Sequence, residues 1–209
     1  MEQNQKGAQA QQNHNTEQES KGALYDFYAL IHDLVYILAG ITLLFVFCVR
    51  LVGVNGDSML PTLVDGDYLA LQSNVIMGDL EYGDVIVASK MSFRDGEPIV
   101  KRVIATEGQT VSIRRENGEV RVFIDGVALV EPYIKEEMIA AYNLPIELTV
   151  DENCIFVMGD NRNNSADSRD TRIGQISLDE VLGKVLFVLI PGEDNFTKER
   201  DFGRIGAVS

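Results

Sequence analysis

The sequence predicts a mainly β, antiparallel domain that follows one membrane-spanning helix. Three observations predict it. An apolar run extends from Leu34 through Val54, broken by little more than Gly40, Thr42 and Arg50. Beyond it, short Val- and Ile-rich runs alternate with Asp-Gly and Asn-Gly turn signals. No later stretch of helical length shows a 3.6-residue period.

Taken in order, Met1–Gly22 is rich in Gln, Asn and Glu and nearly free of large apolar residues, so residues 1–22 are expected to form a disordered tail. Residues 23–54 are expected to form the anchor helix. At ~1.5 Å per residue, about twenty-one apolar residues span ~30 Å, one bilayer core, with Arg50 snorkelling. A cleavable leader fits poorly, because the run begins late, lacks a basic flank and is followed by no small-x-small site. Lys21 on one flank and Arg50 on the other leave the orientation uncoded.

Residues 55–209 are expected to form the β domain. Asn117-Gly118, between Val111-Ser-Ile-Arg-Arg and Val120-Arg-Val-Phe-Ile, is a hairpin signal. Further strands are expected at Tyr68–Ser73, Asp84–Ala88, Ile99–Thr106, Cys154–Met158 and Gly183–Leu189, with a short helical turn near Ser177–Leu182. The formal net charge is −14; fifteen basic and twenty-seven acidic residues follow Val54, a balance of −12. That excludes nucleic acid as the expected partner, since a phosphate backbone needs clustered Lys and Arg. The two cysteines, Cys48 and Cys154, form no Cys-x-x-Cys, and Cys154 reads as a buried strand thiol.

Chemistry concentrates in Gly56-Asp57-Ser58-Met59-Leu60-Pro61-Thr62-Leu63. Pro61 restricts its own φ and pushes Leu60 towards extended geometry, while Gly56 permits shapes other residues resist. Ser58 on such a bend is a candidate nucleophile, and a hydroxyl needs a base within hydrogen-bond reach. The histidines are His14, in the tail, and His32, at the anchor. Across a membrane from Ser58 neither reaches it, which removes a Ser-His-Asp triad and any zinc cluster. Asp57, if exposed, is too weak a base. Burial lowers an amine's pKa, so a lysine flanked by apolar residues is a candidate. In Ile99-Val-Lys-Arg-Val, period two puts Lys101 on one face with Ile99 and Val103; Lys184 is the nearest rival. The third constellation is Gly159-Asp-Asn-Arg-Asn-Asn-Ser-Ala-Asp-Ser-Arg-Asp, whose short polar side chains favour a dense side-chain-to-backbone network. It lacks the glycine and glutamate spacing of a calcium loop. Asp167 and Arg169 could pair, and Ser165 could orient an amine.

An apolar anchor, then Asp57-Ser-Met-Leu-Pro-Thr-Leu, then Val100-Lys-Arg-Val, then Gly159–Arg169 resembles a bacterial type I signal peptidase (leader peptidase) with a Ser/Lys dyad. Tyr82-Gly-Asp-Val, with tyrosine where arginine is common, and Gly126–Ile134 resemble further family segments. The resemblance implies the antiparallel β signal-peptidase fold and a single-pass protein of the cell membrane, with its N-terminus cytoplasmic and catalytic domain extracytoplasmic. It implies exported preproteins as partners, cleaved after Ala-x-Ala-like sites, with no metal or other cofactor. By position, Ser58 is the implied nucleophile, Lys101 the general base and Ser165 the residue that orients the amine. Asp160, Asp167 and Arg169 are the implied supporting shell. Gly56 departs from members that carry a serine there as an oxyanion-hole donor; it resembles the Gram-positive branch, as do the compact insert at 107–150 and the single anchor.

Two alternatives remain at this stage. A self-cleaving repressor-type Ser/Lys protease would lack the span and the Gly159–Arg169 loop. A non-enzymatic, membrane-anchored peptide-binding β module would hold Ser58 Oγ and Lys101 Nζ beyond hydrogen-bond reach.

Overall fold

The computed structural model describes residues 25–43, 45, 48–139, 144–193 and 199–208. The expected tail at 1–22, with His14, lies outside them. The chain divides into two units, Met1–Val46 and Phe47–Ser209.

In the first unit, α1 (Tyr25–Leu43) is long and apolar enough to cross a bilayer: nineteen residues, or ~28 Å. Leu34, Ile37, Leu38 and Ile41 are exposed along it. His32 sits on this helix, beside Asp33 at 3.6 Å and edge-on to Tyr36.

The expected anchor over 23–54 is corrected at its end. Val49–Gly53 is not helical but forms β1, antiparallel to β2 (Tyr68–Ser73), with Val49 opposite Gln72 and Gly53 opposite Tyr68. A short apolar run suits either element, and here a neighbouring strand offers its hydrogen-bonding edge. Val54 then enters the core behind it.

The larger sheet runs β1, β2, β11 (Val181–Ile190), β3 (Val85–Ala88), β4 (Ile99–Thr106), β9 (Cys154–Met158), β10 (Ile176–Ser177), with β12 (Gly206–Ala207) pairing β11. All its pairings are antiparallel. The smaller sheet is β7 (Val127–Ala128), β6 (Glu119–Ile124), β5 (Thr110–Glu116), β8 (Ile146–Thr149). The Asn117-Gly118 hairpin joins β5 to β6, with both turn residues at positive φ. The turn expected near Ser177–Leu182 is a 3₁₀ turn, Leu178–Glu180, closed by a Ser177/Glu180 capping box.

Both faces of β4 are covered, which explains why nearly every residue on it is buried. Ile99 and Val103 pack with Ile86 and Val157. Past a bulge, Ile104 and Ala105 pack with Phe156, Met158 and the inner residues of β5 and β6. A third cluster joins Met59 and Leu63 to Leu69, Val85 and Val185. Cys154, expected to be buried, is half-buried at the start of β9 against the second cluster.

Candidate active site

Ser58 rides on a closed loop. Val54 N–H donates to Asp67 O at 2.8 Å and Gly66 N–H to Val54 O at 2.9 Å, which ties the two ends together. Gly56 takes φ +93°, a conformation that side chains resist, and its N–H donates to Asp65 Oδ1 at 2.7 Å. Leu60 N–H closes onto Asp57 O at 3.2 Å and Leu63 N–H onto Met59 O at 3.0 Å, so the expected tight bend is present. Met59 and Leu63 plug the loop into the core. Ser58 lines a cleft of about 610 Å³ whose walls include Val52–Met59, Glu97–Lys101 and Asn163–Ala166.

Lys101 reaches that cleft from β4. Its Nζ lies 2.8 Å from Ser58 Oγ and donates to Val100 O at 2.7 Å. The side chain is 3% exposed. Burial among apolar residues lowers the amine's pKa from 10.5 to about 8. Asp167 and Asp160 pull it back up, while Arg94 and Arg169 push it further down. The rival Lys184 is instead paired with Asp84 at 2.6 Å and one-third exposed. The separation expected of a non-enzymatic module is therefore absent.

β9 delivers the polar loop beside Ser58. Asn161 N–H donates to Ser58 O at 3.0 Å and Asn161 Nδ2 to Asp57 O at 3.0 Å. A Cβ built at Gly159 would run into Ser165 Oγ and the Ser58 carbonyl oxygen, so only glycine allows this approach. Ser165 lines the same cleft as Ser58 and Lys101.

Two fully buried carboxylates brace the loop. Asp167 takes a fork from Arg169, Nε to Oδ1 and Nη2 to Oδ2, both at 2.7 Å, and accepts Gly159 N–H at 3.0 Å. Arg169 Nη2 also donates to Arg162 O at 2.8 Å. Asp160 takes a fork from Arg102 at 2.9 and 2.8 Å and a hydroxyl from Thr62 at 2.5 Å. Bidentate geometry of this kind offsets the cost of burying both charges.

Sequence reasoning assigned no role to Thr62, Arg102 or Asn161. Arg102 carried a readable signal: it follows Lys101 on the opposite face of an apolar strand, where a charge demands a carboxylate. Its Nη1 binds Gly83 O at 2.7 Å and its guanidinium lies 4.2 Å from the Tyr133 ring centroid. Tyr133 OH meets Glu131 at 3.0 Å and Tyr82 OH at 2.9 Å, and Glu131 takes a second fork from Arg162. Tyr82 is thus joined to this network.

Comparison with known proteins bears on the chain's family. The family described as "Signal peptidase, peptidase S26" matches residues 28–190. A signal peptidase I of Bacillus amyloliquefaciens is 35% identical over 153 residues, covering 68% of this chain and 74% of that protein. A probable signal peptidase I-1 of Synechocystis is 39% identical over 145 residues, covering 66% and 69%. A crystal structure of a signal peptidase I from Enterococcus faecalis is 30% identical, covers 52% of this chain and 97% of that one, and superposes with a TM-score of 0.42. With the family match over residues 28–190 and the 35% identity to a signal peptidase I, the chain belongs to the signal peptidase family, peptidase S26, and is a membrane-associated serine peptidase of the type I class that removes signal peptides.

Proposed function

We propose that Ser58 is the nucleophile and Lys101 the general base of signal-peptide removal, and that cleavage follows small-x-small sites of the Ala-x-Ala type. The observation that carries this is the 2.8 Å approach of a buried amine, with its pKa near 8, to a hydroxyl in an open cleft. Neutral Lys101 takes the Ser58 proton as Oγ attacks the scissile carbonyl, and the lysine ammonium returns a proton to the leaving amine. The same amine then activates the water that hydrolyses the acyl-enzyme. Ser165 orients the amine from across Gly159. Asp160, Asp167 and Arg169 hold the loop that carries it. With Gly56 in place of a serine, the Ser58 backbone N–H is the oxyanion donor this segment supplies. The preprotein lies extended between Val52–Met59 and Glu97–Lys101, where shallow pockets accept small side chains at alternate positions.

The proposed domain arrangement is a cytoplasmic tail over 1–22, a single span built on Tyr25–Leu43, and an extracytoplasmic catalytic domain within 55–209. The partners are exported preproteins and the phospholipid membrane. Incubating the detergent-solubilised protein with an Ala-x-Ala preprotein tests the chemistry. Product should form with the native chain and be lost in Ser58→Ala and Lys101→Ala, each still folded; normal turnover by either variant ends the assignment. External protease added to spheroplasts tests the topology, and should digest the β domain.

A further inference from the structure

The residues after Glu199 lie beyond the segment matched by the family, yet they return to the nucleophile loop. Asp201 caps the turn Phe202–Arg204 by accepting Gly203 N–H at 2.9 Å, which aims the Arg204 side chain. Arg204 forks onto Asp67, Nη1 to Oδ1 at 2.9 Å and Nη2 to Oδ2 at 2.7 Å, and Nη2 also approaches Thr62 O at 3.3 Å. Asp67 is fully buried and closes the Ser58 loop from below. Its carboxylate additionally accepts Val64 N–H at 2.8 Å and Gly192 N–H at 2.7 Å. Independently, β12 pairs with Phe187–Val188 and Val208 packs against the cluster that holds Met59 and Leu63, the residues plugging the loop into the core.

We infer that Arg204 is a positioning residue for the peptidase reaction: by clamping Asp67 and Thr62 it holds the Ser58 loop in register with Lys101. Thr62 is held on one side by Arg204 and on the other by Asp160, which Arg102 holds in turn. The loop therefore sits between two bidentate arginine forks, one from β4 and one from the segment after Glu199. Arg102 follows Lys101 directly, so the β4 fork references the loop to the strand that bears the amine. The Arg204 fork prevents the loop's lower end from sliding. Displacement of Oγ by a fraction of an ångström is enough to slow proton transfer and attack.

This inference rests on Ser58 being the nucleophile. The test uses the full-length, detergent-solubilised enzyme and an Ala-x-Ala preprotein, with kcat and KM measured separately and the folded fraction checked by circular dichroism. Arg204→Ala should lower kcat about 10–100-fold while KM stays within about twofold. Millimolar guanidinium, which fits the vacated fork, should restore part of kcat, and Arg204→Lys, a point charge without a fork, should fall in between. Arg200→Ala is the control in the same segment, since Arg200 bonds Pro191 O and Glu193 rather than the loop; its kcat should stay within about twofold. The inference is overturned if Arg204→Ala keeps its kcat, if its loss merely tracks an unfolded fraction and ignores guanidinium, or if Arg200→Ala loses as much. Cleavage by Ser58→Ala would instead remove the nucleophile; a dead Ser58→Ala beside a fully active Arg204→Ala removes the brace alone.

Discussion

Lys101 is a cation-forming side chain held in an apolar wall, and two consequences follow at that residue. In the proposed mechanism the neutral amine is the competent base, so cleavage should rise with pH through about 8 and level off above it. Measuring kcat/KM from pH 6 to 10 checks this, and a flat profile would refute a lysine base. The second consequence concerns stability. Folding lowers the amine's pKa from 10.5 to about 8, so the unfolded chain holds the proton more tightly. The native state of the wild type therefore gains stability as pH rises from about 8 to 10.5 and carries its full penalty below 8. Lys101→Met should abolish cleavage yet stabilise the fold by roughly 3 kcal/mol at pH 7, a gain that shrinks to near zero above pH 10.5. Urea midpoints at pH 7 and pH 10.5 measure it; equal gains at both would mean the amine is solvated.

At the scale of the element, the site depends on how β4, β9 and the Ser58 loop are fastened. β4 contributes Lys101 on one face and Arg102 on the other, and Arg102 is matched to Asp160 at the start of the polar loop. Removing the carboxylate in Asp160→Ala strands a buried guanidinium and releases Thr62, so stability should fall by about 3–5 kcal/mol. Thermal or urea unfolding of the folded variant reads this out, and a change below about 1 kcal/mol would show that the pair contributes little. The strand ends at Tyr68–Ser73, Ile99–Thr106 and Cys154–Met158 were legible because the runs are bounded by Asp67 and Asn74, by Pro98 and Glu107-Gly108, and by Asn153 and Gly159. β1 was not, because Val49–Gly53 continues the anchor's own composition. β8, β10 and β12 are short strands whose pairing comes from neighbours rather than from their own pattern.

For the whole molecule, the proposed division of work is that the apolar helix α1 anchors the chain and the β unit cuts. The charged cost of a span is additive along α1, so Ile37→Arg with Ile41→Arg should disfavour insertion by about 2.5–3.5 kcal/mol per residue. The double variant should move from the membrane pellet to the soluble fraction, and unchanged fractionation would show that α1 is not the anchor. The chain's linear order of residues was enough to establish an apolar run of membrane-spanning length, an antiparallel β domain and three motifs in the order Ser58, Lys101, Gly159–Arg169. It also left the β domain without an imidazole, because histidine occurs only at positions 14 and 32. These are local properties, carried by composition and by periods of two or 3.6. Only the tertiary structure decided that Lys101 and not Lys184 faces Ser58, that Asn161 and Thr62 tie the loop down, and that Arg204 reaches back to Asp67. Such contacts join residues up to 142 positions apart, and no local pattern encodes which charges meet once the sheet has closed.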